Sequence, residues 1–271
     1  MTVLVKKFLA GASIVAGMSA VLGAPAMAVS LTGATVTGDH VIYGYDQVQG
    51  DLDPGVGTAL EALNGYGNVE LSGQLGNSGA VSVLNPTTLE VLFDDGSDVT
   101  FRSFTRDDWG KYGADWFNEA WNDSTSGFQN YINATFGVTN YFQALTGFTL
   151  QKGYQQFSDP NVASVSKDDE GNLFFTLAGH NNHSSGVNLS ELIIAEVNGK
   201  EHFLYKIGGP DRLATVFDDD SERSHEGLYD FEIKPGSGSG ILGESIPEPS
   251  TVLGLMAIGG LLAATKRKSQ K

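Results

Sequence analysis

Apolar residues fall in short alternating runs over the first third of the mature-looking chain, and the same texture returns in the last third, with a helix-like stretch between. Runs at 30–37, 40–45, 69–75, 80–84, 89–93 and 98–104 are rich in β-prone residues. They are punctuated by Gly38-Asp39, Gly76-Asn77, Asn85-Pro86 and Asp95-Gly96, residues that turn the backbone. The period of two is plainest at 98–104, where Val99, Phe101 and Ser103 oppose Thr100, Arg102 and Phe104, as in a half-buried strand. The glycine-rich stretch 51–67 reads as a long loop with a brief helical signal at 58–63.

The period then changes. Trp109, Tyr112, Trp116 and Ala120 recur at helical spacing, with Phe117 and Trp121 beside them and Asp107 or Asp108 placed to serve as N-cap. A second helical pattern covers 127–145, and Gly137 with the β-branched Val138 and Thr139 marks a point where it can break. Strand-like runs resume at 162–166, 172–178, 191–197, 201–207, 214–217 and 228–234, and Asn198-Gly199 is a strong two-residue hairpin signal. The fold class that follows is mainly β, an antiparallel sandwich-like domain over 29–235 with an inserted helical pair at about 107–146. An α+β arrangement is the alternative.

Both ends look like addresses. Lys6 and Lys7, the apolar run from Phe8 to Leu22 and the small-residue site Ala26-Met27-Ala28 describe a secretory signal peptide, 1–28, cleaved after Ala28. At the other end, a Gly/Ser-rich linker at 236–245 leads to Pro247-Glu248-Pro249, an apolar run at 252–264 and the basic cluster Lys266-Arg267-Lys268. Thirteen apolar residues make a marginal span, since a hydrocarbon core needs roughly 20 at 1.5 Å each. The basic cluster acts as a membrane stop on the cytoplasmic side, so the rest of the chain is expected outside.

This tail, 246–271, resembles the sorting signal of bacterial PEP-CTERM proteins. The resemblance implies that Pro247, Glu248 and Pro249 are read by an exosortase, a membrane transpeptidase that cuts at or near them. It also implies that 252–264 is a transient transmembrane anchor and that Lys266, Arg267 and Lys268 stop transfer. The phrase Phe157-Ser158-Asp159-Pro160-Asn161-Val162, followed by Ala178-Gly179-His180, is similar to ectodomain phrases of cyanobacterial members and brings no activity with it. The resemblance further implies association with extracellular polysaccharide or the cell envelope.

Charge sharpens the picture. The chain carries a formal charge of −16, and its two ends hold six basic residues and one acid, so the body without them stands at −21. A field of that sign repels phosphate backbones and anionic membrane surfaces, which argues against nucleic-acid binding. With no cysteine, disulfides, thiolate metal sites and cysteine nucleophiles are excluded, and stability must come from packing.

Candidate chemistry is sparse. His180 and His183, three apart in a polar turn, could ligate a metal only with a third ligand, and no acid stands nearby until Glu191. The acidic turns at Asp94, Asp95 and Asp98, at Asp168 to Glu170, and at Asp218, Asp219 and Asp220 offer hard oxygens to calcium, but none has EF-hand spacing, so solvated turns are the expectation and no cofactor is assigned. The aromatic stretch is read as core, with a sugar-stacking platform on Trp109 or Trp121 as the functional alternative. No nucleophile elbow, zincin, P-loop or dinucleotide motif occurs. The expectation is therefore a non-enzymatic, exported surface or matrix protein, handled by signal peptidase and exosortase. The alternatives are a carbohydrate-binding module and a secreted glycan-active hydrolase, the latter requiring two close carboxylates in a cleft.

Overall fold

The alternating runs give each strand one apolar face to hide, and two sheets hide theirs against each other. The computed structural model describes residues 29–47, 50–72, 85–181, 186–216, 225–238 and 240–242, all within the unit Met27–Ser245. In chain order its elements are β1 (Leu31–Thr37), β2 (Val41–Asp46), β3 (Asp51–Pro54), α1 (Ala59–Asn64), β4 (Asn68–Glu70), β5 (Thr88–Phe93), β6 (Asp98–Ser103), α2 (Arg106–Asn122), α3 (Phe128–Phe136) and α4 (Tyr141–Leu150). A 3-10 turn (Gly153–Phe157) leads to β7 (Asn161–Lys167), β8 (Leu173–Gly179), β9 (Ile193–Val197), β10 (Lys200–Leu204), β11 (Arg212–Leu213), β12 (Gly227–Ile233) and β13 (Gly240–Leu242).

One sheet runs β1-β5-β6-β9-β10-β13 and the other β11-β12-β8-β7-β4-β2-β3. Every pairing described is antiparallel except β10 with β13. The fold is thus mainly β and sandwich-like. Val69, Val162, Val165, Phe175 and Phe231 from the seven-stranded sheet meet Leu89, Val91, Phe101, Ile193 and Leu204 from the six-stranded one. Phe175 stacks on Phe231 at 4.9 Å.

The second core lies on the far side of the six-stranded sheet. Odd and even residues of β9 and β10 divide between the two: Ile193 and Leu204 enter the sandwich, while Ile194 and Phe203 join Phe104 under the helices. The alternation at 98–104 is as the sequence indicates, with Val99, Phe101 and Ser103 buried, and Phe104 buried too because the helical layer covers its side. Asn198 and Gly199 take φ of 53° and 72°, the paired left-handed conformation of a tight hairpin.

Five features differ from the sequence reading. The strand expected at 214–217 is not formed over 214–216, and the short β11 at Arg212–Leu213 stands just before it. The segment 51–67 holds the strand β3 beside the brief helix indicated at 58–63, which is α1, started by a Thr58/Glu61 capping box. The inserted pair is three helices plus the 3-10 turn, because Gly137 at φ 66° ends α3 and Asn140 caps α4 through the backbone N–H groups of Phe142 and Gln143. The N-cap of α2 is Thr105 rather than Asp107 or Asp108; Asp108 is its capping-box partner three positions on. Within the stretch read as a linker, Gly240–Leu242 adds a parallel strand at the sheet edge. The expected strand at 80–84 lies outside the described residues.

Candidate functional site

The aromatic stretch resolves first. The exposures of Trp109, Trp116 and Trp121 are 8%, 0% and 9%. Trp109 stacks on Tyr154 at 5.0 Å and Trp116 meets Phe128 edge-on at 5.3 Å. A sugar platform on Trp109 or Trp121 is therefore corrected: their rings hold the helices to one another and to the sheet. Gly113 is required there, since a Cβ at that position would stand 2.3 Å from the Trp109 ring.

The helical layer is fastened by charge as well. Arg102 on β6 donates to both carboxylate oxygens of Asp108, at 2.6 and 2.9 Å, and to Glu201 at 2.8 Å. Lys111 reaches the other oxygen of Glu201 at 3.1 Å. The guanidinium and the Thr105 cap hold the Asp108 carboxyl below its ordinary range against the opposing effect of burial.

Carboxyl groups gather at one further place. Glu70 ends β4, Asp159 precedes β7, and Glu191 precedes β9. Tyr43 Oη donates to Glu70 at 3.2 Å. Asn161 donates to Glu191 through backbone and side chain, and its Oδ1 meets His225 Nε2 at 3.2 Å. The His225 ring packs 4.3 Å from that of Tyr43. Burial, then the nearby Glu70 charge, pushes Asp159 up to about 6. Burial, then the charges of Asp159 and Glu70, raises Glu191 well above the usual carboxylate range, and its Oε2 is enclosed without a hydrogen-bond partner. Burial and the Glu191 charge likewise raise Tyr229. Such a group can hold a proton near neutral pH. None of these residues emerges from a motif; the available signal is a lone acid amid apolar neighbours, as in Val69-Glu70-Leu71 and Glu191-Leu192-Ile193.

His180 follows β8, and its carbonyl accepts from Tyr229 Oη at 3.2 Å; His183 lies outside the described residues. In the first acidic turn Asp95 binds Lys167 at 2.6 Å and Ser97, which hold its carboxyl well below the usual range. Asp94 and Asp98 are exposed. Asp168 is occupied by the backbone N–H groups of Glu170 and Asn172 at 3.0 and 2.8 Å. Asp218, Asp219 and Asp220 lie outside the described residues, as do Ala26, Ala28, Pro247, Glu248, Pro249, Lys266, Arg267 and Lys268. Among the described residues no three His, Asp or Glu side chains converge as metal ligands, and no helix is long and apolar enough to cross a membrane. A shallow depression on α2 is lined by Asp115, Asn118, Glu119, Asn122 and Asp123.

Residues 245–268 match the family model of the PEP-CTERM protein-sorting motif. No curated protein and no solved structure matches the chain.

Proposed function

We propose that this PEP-CTERM protein, an exported substrate of exosortase sorting, is a non-enzymatic component of the cell surface or extracellular matrix that associates with polysaccharide. The sorting motif at 245–268 carries the reading: it directs the chain to the surface, where the body is left outside. The burial of all three tryptophans favours a structural role, because rings that could have formed an open platform are spent on the second core. The acidic cluster favours it too. Glu191 Oε2 is sealed, and a carboxyl that no substrate reaches is not placed for hydrolysis. In this scheme signal peptidase removes 1–28 and exosortase acts at Pro247 to Pro249, with 252–264 as a passing anchor.

Substituting Pro247, Glu248 and Pro249 together by alanine tests the sorting step. The expected result is a folded body that stays membrane-associated with its C-terminal tail attached. Unchanged C-terminal processing in mass spectra would refute it. Treatment of cells with glycoside hydrolases tests the matrix step: the processed protein should be released together with the degraded glycan, and undiminished retention would count against polysaccharide association.

A further inference from the structure

From Ser124 to Gln151 the chain runs 28 residues without one charged side chain, although 18% of its residues are charged and about five would be expected at that average. The run contains α3 and α4. One face of α4 is buried through Ala144 and Phe148. The other presents Phe142, Thr146, Thr149 and Leu150, spaced i, i+4, i+7 and i+8 and therefore on one stripe. Phe142 and Leu150 are 75% and 77% exposed, the two most open large apolar side chains among the described residues. Apolar side chains on a helix are ordinarily buried, yet Phe142 and Leu150 stand open among the described residues, while Thr149 accepts from Trp109 Nε1 at 3.3 Å.

Its composition selects the occupant. Of the fourteen exposed residues between Phe128 and Gln151, ten carry an amide or a hydroxyl group, so the surface offers donors and acceptors that do not ionise. A polyanion or polycation would find no counter-charge there. A second copy needs about 800 Å² of well-packed surface per partner, which two isolated apolar side chains about 12 Å apart along the helix do not supply. An anionic bilayer is repelled by the acidic body. Hydroxyl-rich, uncharged chains fit: their hydroxyls pair with the Asn, Gln and Thr side chains, and the apolar faces of their rings pack on Phe142 and Leu150.

We propose that the exposed α4 stripe, with the neutral surface of α3 beside it, is a binding face for neutral polysaccharide. This rests on the surface-matrix reading above and gives it a location. The stripe does not use the tryptophan rings as a platform; Trp109 Nε1 only donates to Thr149 Oγ1 at its edge, at 3.3 Å.

The test uses the processed protein taken from the cell surface, as wild type, as the double variant Phe142→Ala with Leu150→Ala, and as Thr146→Glu. Affinity electrophoresis is run in gels holding amylose, dextran, mannan or galactan, with alginate as the anionic control; flotation with phosphatidylcholine vesicles and sedimentation equilibrium run beside it. The expected result is retardation by a neutral glycan and not by alginate, weakened about tenfold by either variant, with tryptophan fluorescence unchanged. Retardation that survives both variants overturns the face and leaves the matrix reading standing. No retardation by any neutral glycan overturns both, while the sorting step, read by mass, remains separate. Vesicle flotation or dimerisation that the variants abolish assigns the stripe to lipid or to a second copy and overturns the proposal.

Discussion

Replacing Asp159 by Asn should stabilise the protein at neutral pH and do nothing at pH 4. Asp159 has a folded-state pKa of about 6 against an ordinary 3.8, because burial and Glu70 disfavour its charged form. The folded state therefore keeps a proton that the unfolded chain has released, and stability falls as pH rises from about 4 to about 6. Two units correspond to about 3 kcal/mol at 1.36 kcal/mol per unit, lost in full above pH 6. Glu191 is shifted in the same direction and extends the loss upward. The Asp108 and Glu201 carboxyls, lowered by Arg102, act oppositely, but their contribution is complete above pH 5 and is lost only on acidification. Guanidinium unfolding followed by fluorescence of the buried tryptophans, at half-unit steps from pH 4 to 8, measures the difference. The Asn variant should gain about 3 kcal/mol at pH 7, or about 6 to 12 °C in Tm for a domain of this size. Wild type and variant running parallel across the whole range would refute the reasoning.

Other outcomes follow from the helical layer. Arg102→Met strands the buried Asp108 carboxylate and should cost about 3 to 5 kcal/mol in chemical unfolding. Thr105→Ala removes the α2 cap and should cost about 1 kcal/mol by the same assay. Gly113→Ala places a methyl carbon into the Trp109 ring; despite better helix propensity it should lose about 1 to 3 kcal/mol and alter tryptophan emission.

The sandwich was legible because its strands obey a period of two and its turns use residues that permit positive φ, as Asn198-Gly199 shows. The break at Gly137 was legible for the same reason. Short elements were harder: α1 has six residues, and only its Thr58-x-x-Glu61 spacing announces it. In β13 the Gly/Ser composition of a linker hides a pairing set by the neighbouring strand β10. The aromatic stripe identified core by its period, yet which side of α4 would remain open depends on how three helices lie over one sheet. The acidic cluster was illegible, because Glu70, Asp159 and Glu191 are far apart in the chain and only the sheet and loop geometry collects them.

The most direct test is the intact mass of the protein recovered from fractionated cells. A polypeptide in the surface or extracellular fraction that begins at Val29 and ends near Pro247 to Pro249 is the expected finding. Full-length, uncut chain dissolved in the cytosol would contradict it.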